Sequence, residues 1–282
     1  MPVDEPTASM LARYSVALGA RGVRRGPRRE AAWRVWMPLD VDRVAELPWV
    51  ASRIVRARPR RVLDIASPKL LACWLADRCR VEQVVATDLW PDEVDSWRRL
   101  TAAASGPRRR YDGLRLEVAD ATRLPYEDAS FDALYSASVL EHIADDGDIA
   151  AAAEIARVLR PGAIAALTVP YGREHREEHV EHDLYGRRYD GRPLFFQRHY
   201  DAGTIDGRLL AGGALEVVER GMWRKEGIQE ARGALRRVVP ESWEIGRFLG
   251  PGLLVLGGRA MRDAPVDEPG EENVLRLLLR RR

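Results

Sequence analysis

From residue 61 onward, short apolar blocks alternate with longer amphipathic stretches. The blocks are 61–65 (RVLDI), 83–87 (QVVAT), 114–118 (LRLEV), 132–137 (DALYSA) and 163–169 (AIAALTV), and they read as strands. The stretches 68–78, 91–104 and 147–159 between them read as helices. This alternation predicts a parallel, doubly wound sheet, with right-handed crossovers placing helices on both faces. Upstream, residues 33–58 carry apolar positions at helical spacing, with Pro38 and Pro48 as breaks. After Pro170 the periodicity lapses, and 171–200 reads as a lid or substrate segment. A helix follows near 201–212 and a strand at 214–222 (ALEVVERGM). Two apolar stretches then compete for the last strand, 252–257 and 274–280, and the second is preferred.

The first 32 residues are polar and Arg-rich. The run "RGVRRGPRRE" (21–30) reads as a solvated, partly disordered arm in preference to a nucleic-acid contact. With neither internal repeat nor low-complexity linker, the chain divides into an N-terminal Arg-rich arm and helical extension (1–44) and one α/β domain (45–282).

Charge and composition narrow the classes. Among 282 residues, 45 basic side chains face 43 acidic ones, a net charge of +2. That balance gives no global attraction to nucleic acid or an anionic membrane. No stretch approaches the ~20 continuous apolar residues of a membrane span, and the N-terminus lacks an apolar signal core. Cys73 and Cys79 are the two cysteines. Cys73, on a helix with Trp74 and Leu75, reads as a buried thiol. A cytoplasmic location is expected.

"RVLDIASPKLLACWLADR" (61–78) reads like the opening of a nucleotide-binding fold without its glycines. Ser67-Pro68 is a helix-start signal, serine as N-cap and proline at the first helical position. The helix N-terminus then lies at the carboxyl edge of the sheet, where open α/β folds bind ligands. Without glycines the turn is a poor phosphate cradle. It serves a cofactor made of adenine, ribose and an amino-acid tail, if Ala66 has ordinary backbone dihedrals. Asp88 ends the second strand, where a carboxylate accepts from both ribose hydroxyls. Leu89 and Trp90 offer an apolar face for adenine, and Asp120 ends the third strand within reach of its amino group. The competing reading of each aspartate is a cap on the following helix.

The segments "VLDIASPKLLACWLA", "ATDLW", "VADATRLPYEDASFDALYSASVLEHI" and "VLRPGAIAALTVP" resemble class I S-adenosylmethionine-dependent methyltransferases of the small-molecule type, over roughly 55–222. The first segment departs from the family's glycine pattern at Ala66, Pro68 and Leu70 and is one residue shorter. The resemblance implies a Rossmann-like seven-stranded sheet, mostly parallel with an antiparallel last strand, plus a lid. It implies S-adenosylmethionine as cofactor. Asp64 and the 65–67 backbone, including Ala66 and Ser67, would line its methionine end. Asp88, followed by Leu89, would bind ribose. Asp120 and Ala121 would bind adenine, and Ser136 and Ser138 would flank the cofactor.

Methyl transfer from a sulfonium is an in-line displacement that needs alignment and exclusion of water more than a protein nucleophile. A general base helps a hydroxyl or protonated amine acceptor. His142, after Glu141, is one candidate, against an architectural reading of that Glu-His pair. Ser138 shares their helical face, yet serine is a poor third metal ligand. His175, His179 and His182 would share a face on a helix and could hold zinc. The preferred reading is a solvated lid, and no metal is expected. In "PLFFQRHYD" (193–201) the paired phenylalanines read as a buried anchor. Arg198, His199 and Tyr200 would then face the pocket, His199 as base and Arg198 and Tyr200 toward substrate, against plain packing of the lid. Arg43 would pair with an acidic ligand group or form a surface salt bridge.

The leading reading is a methyltransferase on a small molecule, with O-methylation favoured. The alternatives are a lipid, glycan or protein acceptor, or a non-catalytic scaffold that has lost the cofactor. A dehydrogenase is disfavoured because the loop lacks a phosphate site. The expected partners are a small-molecule acceptor, with neither nucleic acid nor membrane, and the expected state is monomer or homodimer.

Overall fold

The computed structural model describes residues 5–40, 42–79, 81–106, 111–181, 193–225, 261–270 and 273–282. Three helices come first: α1 (Ala8–Arg25), α2 (Arg28–Trp36) and α3 (Arg43–Ala57). The Arg-rich segment is therefore helical, which corrects the expectation of partial disorder, while Arg24, Arg25 and Arg28 remain exposed. Its apolar stripe is Leu11, Tyr14, Leu18 and the small residues Ser15, Gly19 and Gly22, at three- and four-residue spacing. The arginines take the other face and the last turn, where they complement the helix dipole. Gly22 lets α1 approach its neighbours: a Cβ there would lie 2.5 Å from Leu100 and 2.7 Å from Ala31. Thr7 caps α1 by accepting from the Met10 N–H at 3.2 Å. Pro48, expected as a break, lies inside α3. Burial of Leu47, Trp49, Val50 and Ile54 on the same helix offsets the one hydrogen bond its ring removes.

The alternation from residue 61 appears as expected. It gives β1 (Arg61–Ile65), α4 (Leu70–Arg78), β2 (Gln83–Asp88), α5 (Pro91–Ala104), β3 (Leu114–Val118), β4 (Phe131–Ala137), α6 (Gly147–Val158) and β5 (Leu159–Tyr171). Successive strand residues face opposite sides. Val62, Val84 and Ala86 join the core under α1, α3, α4 and α5, while Leu63, Ile65 and Val85 join the core under α6. Both faces are thus sealed, as a parallel sheet requires.

Beyond β5 come β6 (Arg176–Val180), β7 (Leu194–His199), β8 (Leu215–Lys225), β9 (Met261–Ala264) and β10 (Asn273–Arg281). The main sheet runs β3-β2-β1-β4-β5-β10-β8-β9. β1 to β5 are parallel, and β10 inserts antiparallel between β5 and β8. The last strand is indeed 273–281, while the competing stretch 252–257 lies outside the described residues. The sheet has eight strands rather than seven because short β9 pairs with β8 at the edge. The strand order reverses beside β1, between β2 and β4, which is where ligands bind in such sheets.

The lid segment holds an antiparallel pair, β6 with β7. Its chain is anchored at the sheet, where Gly172 N donates to Tyr200 O at 2.8 Å and Tyr200 N to Pro170 O at 3.0 Å. His179 lies on extended backbone, and His175 immediately precedes that strand. The helical face that is the alternative reading for them is not formed by His175 and His179, and His182 lies outside the described residues. Cys73 and Cys79 are buried free thiols.

Candidate functional site at the carboxyl edge of the sheet

The turn from β1 to α4 is tighter than its sequence implies. Ala66 has φ +50°, the left-handed region that glycine favours. The condition of ordinary dihedrals fails, and an alanine holds a glycine conformation. Ser67 does not cap α4, whose N-cap residue is Lys69 without a side-chain cap. Instead the Ser67 hydroxyl accepts from Ala137 N at 2.8 Å and donates to Ile65 O at 3.3 Å, tying the ends of β1 and β4. Asp64 Oδ1 accepts from Ser67 N at 2.9 Å and so shapes the turn from inside. The side chain is fully buried. Burial, above all, pushes its carboxyl up to about 6, with Lys69 opposing. Asp64 therefore shapes the loop from beneath, while Ala66, on the loop, stays partly accessible.

Asp88 ends β2 with its side chain mostly buried but still in part accessible. Its Oδ1 accepts from Trp90 N at 3.1 Å, and its Oδ2 lies 3.4 Å from Lys69 Nζ. Leu89, Trp90 and Val118 are exposed apolar side chains at the ends of β2 and β3. Asp120 is exposed just past β3, and its Oδ1 accepts from the Thr122 N–H and hydroxyl at 2.8 Å each. Ala121 beside it is partly accessible. Two carboxylates flanking exposed apolar side chains along this edge could accept from a diol and an amino group and cover a flat ring between them, the groups that adenosine offers.

At the end of β4 the serines divide. Ser136 is buried and donates to Ile65 O at 3.3 Å, so it joins strands and does not face a ligand. Ser138 has φ +50° and turns its hydroxyl to Glu46. Glu46, on α3, also accepts from the Thr168 hydroxyl at 2.8 Å and pairs with Arg43. Arg43 donates to Ala137 O at 3.1 Å, so it serves the strand end and Glu46. A single 3-10 turn, Leu140–His142, follows. Glu141 is buried there, and its Oε2 has no hydrogen-bond partner among the described residues. Burial pushes its carboxyl up to about 8; Glu46 adds to the rise, while Arg43 and Lys225 oppose it. His142 is partly accessible, with Nε2 3.8 Å from Glu141 Oε1 and Nδ1 2.8 Å from Phe196 O on β7.

The lid residues separate by role. His199 is nearly buried, with Nε2 2.9 Å from Glu178 Oε1, and burial lowers its pKa despite that carboxylate. Lys225 acts electrostatically on both His199 and Glu141, so β7, β8 and the 140–142 turn border one region. Arg198 and Tyr200, expected to meet substrate, do not. Both are fully buried: Arg198 pairs with Asp148 at 3.0 Å and donates to Ile143 O and Asp145 O, and the Tyr200 hydroxyl donates to Asp148 at 2.8 Å. Strand alternation turns them inward onto α6. Phe195 and Phe196 are half-buried, and Phe196 packs its ring 5.1 Å from that of His142.

Sequence reasoning missed Lys69 and Glu46. The signal for Glu46 was a carboxylate on the apolar face of α3, in line with Trp49 and Val50. Lys69 carried only its place in the turn.

Residues 63–167 match the profile of a family described as a methyltransferase domain. A curated relative, the demethylmenaquinone methyltransferase of Deinococcus radiodurans, is 36% identical over 137 residues, 48% of this chain and 53% of that protein. The chain thus spans about half the length of the curated relative it matches. Among solved structures, a methyltransferase from Bacillus halodurans, so assigned provisionally, gives a TM-score of 0.53 at 17% identity, over 84% of this chain and 98% of that one. A sarcosine dimethylglycine methyltransferase of Galdieria sulphuraria, also provisionally assigned, gives 0.51 at 18% identity, over 92% and 89%. The cyclase SpnF gives 0.51 at 17% identity, over 100% and 98%. These likenesses bear on fold alone, and a cyclase among them shows that fold does not fix activity. The profile match falls on β1 to β5 and the carboxylates at their ends, so residues 63–167 are similar to a methyltransferase domain.

Proposed function

We propose that the chain is an S-adenosylmethionine-dependent methyltransferase acting on a small molecule, with a hydroxyl as the favoured acceptor. The observation that carries this reading is the row of Asp88, exposed Leu89 and Trp90, and Asp120 along the sheet edge where the strand order reverses. Asp88 would take the ribose hydroxyls, Leu89 and Trp90 the adenine face, and Asp120 with Ala121 the adenine amino edge. The backbone of Ala66 and Ser67 would border the methionine end. The bound cofactor supplies an electrophilic methyl on a sulfonium. The residues here then need to orient the acceptor, exclude water and take up a proton.

Glu141 and His142 follow the end of β4, and His199 lies on the lid strand β7 that packs against that turn. His142 Nε2 is the accessible proton acceptor, because Nδ1 faces a carbonyl oxygen and must carry the ring proton. The relative in Deinococcus radiodurans is named for demethylmenaquinone, a small molecule, which supports that class of acceptor. Among the described residues no helix is long and apolar enough to cross a membrane. A second reading, a scaffold that no longer binds cofactor, draws on the glycine-free turn and the left-handed Ala66.

Incubation with cofactor bearing an isotopically labelled methyl, followed by fractionation of cell extract, separates these readings. Label in the small-molecule fraction is expected, and label reduced by His142→Ala would assign the proton acceptor. Label confined to phospholipid, glycan or protein overturns the acceptor class. No label in any fraction favours the scaffold.

A further inference from the structure

Lys69 is 1% exposed, in a turn that otherwise faces the ligand edge. Lysine is almost never buried unless paired. Here Nζ donates to Ser67 O at 2.6 Å and stands 3.4 Å from Asp88 Oδ2 and 3.8 Å from Asp64 Oδ2. Two carboxylates thus end adjacent parallel strands with one cation between them. Each carboxylate spends its other oxygen on the backbone: Asp64 Oδ1 on Ser67 N, Asp88 Oδ1 on Trp90 N. Asp64 Oδ2 accepts no hydrogen bond among the described residues, so the ammonium is its compensating charge.

We propose that Lys69 is a positioning residue for the cofactor: its ammonium holds Asp64 ionised under the turn and fixes Asp88 in the rotamer that receives the ribose. A side-chain cation thereby supplies the constraint that a glycine-rich turn supplies through its backbone. The inference rests on the cofactor reading above. The other groups facing Asp64 do not substitute for Lys69. Asp88 on β2 repels it, while Cys73 on α4 and Tyr135 on β4 are held neutral by burial, the thiol pushed up to about 12. Burial already lifts Asp64 to about 6 against the pull of Lys69. Without Lys69 it rises further, Asp64 carries a proton near neutrality, and its grip on Ser67 N weakens.

The test compares wild type, Lys69→Met and the double variant Asp64→Asn/Lys69→Met. S-adenosylhomocysteine is titrated by calorimetry at intervals from roughly pH 6 to 9, with thermal melts of the ligand-free proteins over the same range. Wild-type affinity is expected to be flat above about pH 7. Lys69→Met should bind at least about tenfold more weakly near neutrality and recover toward high pH, as Asp64 loses its proton. Its melting temperature should fall relative to wild type as pH rises, because a raised folded pKa costs stability above the unfolded value. The double variant has no proton to lose, and both of its profiles should be flat. Binding of Lys69→Met equal to wild type overturns the role of Lys69. So does a loss that is the same at every pH with melting profiles parallel to wild type, which is the mark of packing alone. Absence of binding by wild type overturns the cofactor reading itself.

Discussion

At the residue scale, Ala66 is the clearest local conflict between sequence and backbone. An L-residue in the left-handed region costs about 1–2 kcal/mol, and a glycine there costs about 0.5–1 kcal/mol more chain entropy on folding. Ala66→Gly should therefore stabilise the protein by about 0.5–1 kcal/mol in denaturant melts. It should not weaken binding of S-adenosylhomocysteine, because the turn keeps its path. A destabilised Ala66→Gly protein would mean that the alanine methyl packs in a way that outweighs its strain. The end-of-strand aspartates were legible because their spacing is set by the alternation of strand and helix. Lys69 was not, because a buried ion pair between the ends of β1 and β2 exists only once both strands are side by side. Glu46 was half-legible: helical spacing places it on the inner face of α3, but its partners Ser138 and Thr168 come from β4 and β5.

At the element scale, the lid is fixed by charge as much as by apolar packing. Asp148, at the start of α6, receives Arg198, Arg208 and the Tyr200 hydroxyl. Arg198 is wholly buried, whereas Arg208 is about a fifth exposed. Asp148→Asn strands a buried guanidinium and should cost about 3–5 kcal/mol. Arg208→Ala leaves the buried pair intact and should cost less than half of that. Equal losses in urea unfolding would show that the buried pair is not what anchors the lid. The strand at 176–180 was not legible in the sequence for a physical reason. Densely charged segments carry little periodic signal, and β6 is a strand because β7 is present to pair with it. The strand pattern of β1, β2, β4 and β5 needed no such partner, since each carries apolar residues on both faces.

At the scale of the whole molecule, the acidic cluster at the end of β4 ties stability to pH. Glu141 is pushed up to about 8, well above an unfolded glutamate, by burial first and by Glu46 second. The folded state therefore binds this proton more tightly than the unfolded state. Stability contributed by the protonated form is present at low pH and declines as pH rises from the unfolded pKa through about 8. Glu141→Gln mimics the protonated form, so its melting temperature should exceed that of wild type above about pH 8 and approach it near pH 5. A constant difference across that range would show that Glu141 does not change its charge where burial places it.

The measurement that bears most directly on the whole account is a calorimetric titration of S-adenosylhomocysteine into the wild-type protein, with Asp88→Ala alongside. The account predicts binding on the order of micromolar for wild type, weakened at least about tenfold when the ribose carboxylate is removed. No heat and no thermal shift at saturating ligand, or binding indifferent to Asp88, would contradict it.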